Sequence, residues 1–452
     1  MIDEFGQWKP VDWPGKVKSL EQLKKEWAEE EARLAPGDFG YGRYGGYRAT
    51  QARATGFFRV EQIDGKWWFV DPEGHLFLSM GVNVMSHAMG TPIAGREHYF
   101  AALPPAEFAP PSLPGLYQHV PQVSYYTWNI GRRFGDDWRR KWANLMVRRM
   151  EAWGLNTMYP RAPELIEAEP RKPYIITVRD WQLGGSTMGL PDVYSEEFAR
   201  SADEVAARDC APRKNEPYLL GYFVGNEPSW PERESELVDI ILAGPPTAIQ
   251  SKAKAFLARG DTPARRKAFV LSAYEKFLEV INRAVRRHDP NHLNLGVRFG
   301  RMPGEELVRM AHVFDVYSHN LYRYAPDPEE EQKLYELSGR PVLIGEFHIG
   351  APGRGLSAGL VQACDQKERA AAYSYYVEQA VSAPAMIGVH WFQWMDQPPT
   401  GRMDGENYNI GFVDGTDRPH WEFLEGVIAT HKRLFAVHSG QEPPTTRRPK
   451  PQ

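Results

Sequence analysis

Short apolar runs alternate with amphipathic stretches of helical length along most of this chain, and that alternation is its main structural signal. A polar, Trp- and Pro-punctuated start gives way to Ser19-Leu20-Glu21-Gln22, a capping box that predicts a helix to about Leu34 with Leu20, Leu23, Trp27 and Leu34 near one face. From Phe57 the period changes to two short strands joined by Asp64-Gly65, a hairpin signal. Apolar runs then predict strands at 76–84, 155–159, 174–178, within PYLLGYFVGNEPSW at 217–230, and at 293–299, 314–317, 342–346 and 387–392. Helical spacing fits between them: Trp138, Trp142, Leu145, Arg149 and Trp153 closed by Gly154, then 263–287, 305–311, 328–337, 365–381 and a last helix over 420–435.

Eight strand-then-helix units in one chain predict an α/β fold, a (β/α)8 TIM barrel decorated by an N-terminal helix and a β-hairpin and carrying long βα loops. The expected organisation is an extension over 1–56 packed on the barrel, a catalytic barrel with its leading hairpin over 57–438, and a Pro-rich, charged, disordered tail over 439–452. Two stretches stand out from the alternation. About fifty residues after Val84 lack periodicity and hold Pro, Tyr, His and Trp, as a functional loop would, and residues 231–262 read as a Pro- and charge-rich insertion.

Composition narrows the partner. With 54 Lys+Arg against 58 Asp+Glu in 452 residues, the net charge of -4 implies neither nucleic acid nor a membrane surface as partner. A neutral small molecule fits better, and 14 Trp and 21 Tyr, many beside Gly, Pro, Asn or Arg, suit the flat faces of sugar rings. Self-association is left open. Cys210 and Cys364 cannot form a disulfide framework and lack zinc or redox spacing. The first residues show no signal peptide, so the chain as written reads as cytoplasmic, and as periplasmic or secreted if such a segment has been removed. His87, His119, His312, His319, His348 and His390 show no HxH or HExxH spacing, so neither metal nor other cofactor is expected.

Barrel enzymes carry their reacting groups at the C-terminal ends of strands. Those ends hold Asn83, Asn156 with Arg161, Arg179-Asp180, Asn226-Glu227, Arg298, His319-Asn320 with Tyr322, Glu346 with His348, and Trp391, Gln393, Trp394 and Asp396. Buried charges cost several kcal/mol unless paired, so a purely structural barrel has little use for so many. Two glutamates, Glu227 in the stretch 217–230 and Glu346 ending the run 342–346, match the paired carboxylates of glycoside hydrolysis. Facing each other across a barrel they fit the short separation of a retaining enzyme, with Glu227 as acid/base, its proton held by the nearby anion of Glu346, and Glu346 as nucleophile. Asn226 is placed on the sugar 2-hydroxyl, Tyr322 on Glu346, and at least one of Trp391 and Trp394 is read as a sugar platform. Arg402, Glu406 and Asn409 belong to a Gly-rich loop that could touch substrate.

These tips, with GEFHIGAPGRGL at 345–356, GVHWFQWMDQPPTGRMDGENYNIGFVDGTDRPH at 388–420 and VDPEGHLFLSMGVN at 70–83, resemble the retaining glycosidases of clan A and, more narrowly, glycoside hydrolase family 50, the β-agarases. The resemblance covers roughly residues 57 to 435. It implies an exo-acting β-agarase that cleaves β-1,4-galactosidic bonds and releases disaccharide from one end of agarose or its oligosaccharides. Gly225 stands where the family usually has Asp before Asn-Glu, and the first 56 residues are too few for the N-terminal carbohydrate-binding-like domain that members often carry. A divergent β-galactosidase or other β-glycoside hydrolase, and a non-catalytic carbohydrate-binding barrel, therefore stand beside the agarase reading.

Overall fold

The computed structural model describes residues 1–111, 120–179, 181 and 187–448. His119, Asp180 and the last four residues of the tail lie outside them.

A three-stranded antiparallel sheet opens the ordered β structure: β1 (Arg59–Ile63), β2 (Lys66–Val70) and β3 (Leu76–Phe77). Asp64 and Gly65 both take positive φ, 52° and 76°, the conformation that a tight two-residue hairpin requires. The single run expected over 76–84 is two strands. The chain leaves this small sheet at Leu78 and enters the barrel as β4 (Ser79–Met85), both pieces being apolar because both are buried. A short antiparallel pair, β5 (Thr91–Pro92) and β6 (Gln122–Val123), lies in the excursion that follows.

The barrel continues with β7 (Thr157–Pro160), β8 (Tyr174–Thr177), β9 (Leu219–Asn226), β10 (Leu293–Arg298), β11 (Tyr317–Asn320), β12 (Val342–Phe347) and β13 (Met386–Trp391). Their order is β10-β9-β8-β7-β4-β13-β12-β11, with every adjacent pair parallel. The ends meet through a parallel bridge between Phe299 and His319, where the Asn320 N–H donates to the Phe299 carbonyl at 2.8 Å. The result is an eight-stranded, nearly closed parallel barrel.

Strand β11 lies three residues later than the hydrophobic pattern predicts. Phe314 ends a tight 3-10 turn, and the strand is made of Tyr317, Ser318, His319 and Asn320. Ser318, His319 and Asn320 are buried with partners: Ser318 Oγ donates to the Leu295 carbonyl at 2.6 Å, His319 Nε2 lies 3.1 Å from Glu331, and Asn320 Nδ2 donates to Glu227 at 2.7 Å. Hydropathy alone misses such a strand.

Helices that the apolar pattern does not predict occupy several of the connections. Glu196–Asp209 is capped by Ser195 and buries Phe198, Ala202, Val205 and Ala206. The insertion at 231–262 holds helices Glu234–Ala243 and Ala248–Leu257, and a further helix, Tyr125–Phe134, ends the long excursion. The final helix is two, Trp421–His431 and Leu434–Ser439.

The N-terminal helix Leu20–Arg33 is tied to the barrel by a buried ionic network. Arg149 bonds both oxygens of Glu30, at 2.7 and 2.8 Å, and Asp417 at 2.6 Å, while Arg133 bridges the same two acids at 3.1 and 2.7 Å. At the other end, residues 442–447 lie against the helix Gln366–Ser382, where composition suggested disorder. The Thr445 N–H donates to the buried carboxylate of Glu378 at 2.7 Å, and Arg433 holds Glu442 at 3.0 Å. Proline prevents these residues from continuing a helix without preventing them from binding to one.

Candidate active site

Glu227 directly follows β9, with φ of 45° and its N–H donated to the Arg298 carbonyl of β10 at 2.7 Å. That hydrogen bond turns the carboxylate off the end of the strand and into the barrel mouth. Before it, Gly225 pairs in register with Val297, and a Cβ at residue 225 would stand 3.1 Å from both Val297 methyls, so a side chain there requires Val297 to move.

Glu346 lies within β12 and is held at both oxygens. Arg298 Nη2 reaches Oε1 at 3.0 Å and the Tyr322 hydroxyl donates to Oε2 at 2.8 Å. Arg298 is itself fixed, donating to Asn83 Oδ1 at 2.9 Å and to the Gly345 carbonyl at 3.1 Å, while Asn83 Nδ2 donates to that carbonyl at 2.9 Å. Residue 345 must be glycine for this packing, because a Cβ would lie 2.4 Å from Arg298 Cδ. These two contacts fix the orientation of the Glu346 carboxylate.

Glu227 lives in a different environment. Loss of solvation against the cleft walls raises its pKa above the ordinary carboxylate value, a hydrogen bond from Asn320 Nδ2 to Oε1 at 2.7 Å opposes the rise, and the negative charge of Glu346 adds to it. The Glu346 anion, expected from the sequence to hold the proton, contributes less than the walls do. One acid is clamped at both oxygens while the other is biased toward its protonated form, the asymmetry that acid/base and nucleophile roles demand.

Both acids line one cleft of about 1050 Å³ at the C-terminal ends of the strands, above the roughly 300–1,000 Å³ of common small-molecule sites. Asn226, Arg298, Tyr322, His348, Arg402 and Glu406 also line it. Arg402 is held by Glu406 at 2.7 Å, and Glu406 also accepts from Gln397 at 2.8 Å, so this loop presents a fixed ion pair to the cleft. His348 Nε2 accepts from the Leu360 N–H at 3.0 Å, and burial pushes its pKa down to about 3, leaving a neutral imidazole.

Several predicted contacts stand behind the cleft wall. Asn83 is fully buried and acts on Arg298. His319 is buried against Glu331, and Asp396 accepts from the Gly411 N–H at 2.7 Å and pairs with His420 at 2.8 Å. Gln393 donates to the Met395 carbonyl at 3.1 Å and accepts from Arg402 at 3.4 Å, supporting the loop from below. Asn409 is buried and accepts from Gln366 at 3.2 Å. Asn320 does not line the cleft itself, but its amide holds Glu227.

The two tryptophans are core residues, not platforms. Trp391 is 1% exposed, donates to the Ile410 carbonyl and packs on Phe347, Phe412 and Phe423, while Trp394 is 0% exposed and stacks on Trp153 with ring centroids 5.5 Å apart. The aromatics that reach the cleft are Tyr159, Phe299, Tyr322 and Phe392. Side-chain alternation offered the clue for Phe392, since its neighbour Trp391 faces the opposite way. Among the described residues, no three His, Cys, Asp or Glu side chains converge on a metal-sized site, and no helix is long and apolar enough to cross a membrane.

No family model matches the chain. It is 29% identical to β-agarase B of Vibrio sp. (strain JT0107) over 97% of its own length and 55% of that protein, and 31% identical to β-agarase A of the same strain over 93% and 50%. A solved exo-β-agarase superposes with a TM-score of 0.86 at 27% identity, covering 97% of this chain and 74% of that one; an agarase gives 0.84 at 28%, covering 97% and 72%. PfGH50B gives 0.86 at 27%, covering 97% and 75%.

This chain is similar to family 50 β-agarases. The chain spans about half the length of the curated relatives it matches. The likeness reaches across 97% of the chain, beyond the stretch from 57 to 435 that carried the sequence resemblance, and so into the N-terminal extension.

Proposed function

We propose that this chain is a retaining, exo-acting glycoside hydrolase of β-agarase type, with Glu227 as acid/base and Glu346 as nucleophile, acting on β-1,4-galactosidic bonds of agarose-derived oligosaccharides. The observation that carries the reading is the asymmetry of the two carboxylates. Both lie in one strand-tip cleft, Glu346 clamped by Arg298 and Tyr322, Glu227 biased toward the protonated state. The similarity to β-agarases supports the substrate class.

In the first step Glu346 attacks the anomeric carbon while Glu227 delivers its proton to the glycosidic oxygen, so that the bond to the leaving sugar breaks and a covalent glycosyl-enzyme forms. Esterification removes the negative charge of Glu346, one of the influences that kept the Glu227 pKa high. Glu227, now an anion, takes a proton from water, whose oxygen attacks the same carbon and releases Glu346. Two inversions give net retention. As Glu346 loses its charge, the hydrogen bonds from Arg298 and Tyr322 are left without an anion, and they stabilise the carboxylate as it leaves in the second step.

The test is incubation with agaro-, carrageenan- and plain β-galacto-oligosaccharides, with products identified by mass and the first-formed anomer by NMR. Disaccharide released from one end of the agaro-series as the β-anomer is expected. Products of mixed length would remove exo action, a first-formed α-anomer would remove retention, and no cleavage of any agaro-oligosaccharide would remove the substrate class.

A further inference from the structure

The arginines of the cleft are not equivalent. Arg298 is engaged by Glu346, Arg402 by Asp404 and Glu406, and Arg233 by Glu236. Arg161, Arg179 and Arg301 line the cleft with no acidic partner among the described residues, and the first two lie just beyond β7 and β8. Both converge on Tyr159. Arg179 Nη2 donates to the Tyr159 hydroxyl at 3.3 Å, the Arg161 guanidinium stands 4.6 Å over the ring, and that of Arg298 stands 5.6 Å from it.

We infer that Arg161 and Arg179, gathered around Tyr159, form an oxyanion subsite that takes a sulfate ester or carboxylate carried by the sugar chain. Two guanidinium groups around one phenol repel each other, and a ligand anion relieves that repulsion while accepting their hydrogen bonds. The tyrosine reports the local field: burial of its ring raises the hydroxyl pKa, yet Arg161, Arg179 and Arg298 together bring it below the ordinary value. Arg161, Arg179 and Glu346 line the same cleft. This rests on the glycosidase reading for the identity of the ligand as a saccharide. The oxyanion is a departure from neutral agarose.

The test compares β-galacto-oligosaccharides of equal length that are neutral, 6-sulfated or uronate-terminated, with binding measured by calorimetry and hydrolysis followed in parallel. Wild type is expected to bind at least one anionic form about tenfold or more tightly than the neutral one, as a charge-assisted pair implies, with the preference shrinking at high salt. Which anionic form is preferred assigns sulfate or carboxylate. Arg161→Ala with Arg179→Ala should bring the anionic-to-neutral ratio close to one, and the Arg161→Lys/Arg179→Lys pair should keep part of it. An anionic-to-neutral ratio near one in wild type, or a preference that survives removal of both arginines, would overturn the subsite. Neutral substrates hydrolysed as well as anionic ones overturn the subsite and leave the hydrolase standing. Preferential binding with no hydrolysis of any substrate overturns the hydrolase and leaves the subsite.

Discussion

Replacing Asn320 by alanine should move the basic limb of the pH profile upward. Asn320 Nδ2 donates to Glu227 Oε1 at 2.7 Å, a hydrogen bond that stabilises the anion and so opposes the rise in pKa caused by the cleft walls and by Glu346. A hydrogen bond to a charged group contributes about 1.5–3 kcal/mol, and one pKa unit corresponds to about 1.4 kcal/mol, so its loss is worth roughly one to two units. The cleft is open to water, which can replace part of the bond, so about one unit is the expected shift. The sign follows from the role: the acid works while protonated, and a higher pKa keeps it protonated to higher pH. The assay is kcat/KM against pH for wild type and Asn320→Ala. At the pH where the wild-type rate has fallen to about a tenth of its plateau, the variant should retain about half of its own. Its plateau will be lower because Asn320 also positions the carboxylate, so the shape of the curve carries the information. A limb that stays in place, or moves to lower pH, would refute the reasoning, the second by implying that the amide accepts from protonated Glu227.

Other outcomes follow from the same contacts. Trp394→Leu should lower the thermal midpoint, at a cost of about 3 kcal/mol for the lost stacking and volume, while leaving KM within about twofold, because the ring stacks on Trp153 away from the cleft; a large rise in KM with unchanged stability would restore it as a platform. Arg149→Met breaks the fully buried bonds to Glu30 and Asp417; it should destabilise by about 3–5 kcal/mol, read as a lower urea midpoint, and a neutral result would show that Arg133 suffices alone. Burial lowers the pKa of His348 and His390 to about 3 and of His431 and His438 to about 4. The unfolded chain binds these protons near its ordinary histidine value and the folded chain does not. Stability should therefore be fully present above about pH 6.5 and fall, by about 1.4 kcal/mol per histidine per pH unit, as the pH drops toward those folded values. Equal urea midpoints at neutral pH and near pH 5 would contradict it.

The barrel could be read from sequence because buried parallel strands leave an apolar signature and strand tips break it. That worked for β9, β10, β12 and β13, and it brought Glu227 and Glu346 together as residues worth watching. It failed where burial is secured by hydrogen bonds instead of hydropathy. In β11, Ser318, His319 and Asn320 are buried and polar, and their partners lie on other elements that no local pattern reveals. Helix Glu196–Asp209 was missed although Ser195 and the spacing of Phe198, Ala202 and Val205 announced it.

The direction of side chains was harder still. Trp391 and Phe392 are adjacent, and hydropathy does not say which of them faces the cleft. Asn83 sits at a tip like the other polar residues, yet its partners, Arg298 and Gly345, absorb both ends of its amide. Polar at a strand tip therefore divides into residues that meet substrate and residues that hold those that do. Only the contacts separate them.

The central claim is the division of labour between Glu346 and Glu227, and azide rescue tests it most directly. Glu346→Ala should lose activity by orders of magnitude while keeping its fold, then recover in azide with the α-glycosyl azide as product, because the small nucleophile enters from the face the carboxylate has vacated. Glu227→Ala should instead give the β-glycosyl azide, formed from the intermediate on Glu346. Near-normal turnover in either variant without azide, or a β-azide from Glu346→Ala, would contradict the assignment.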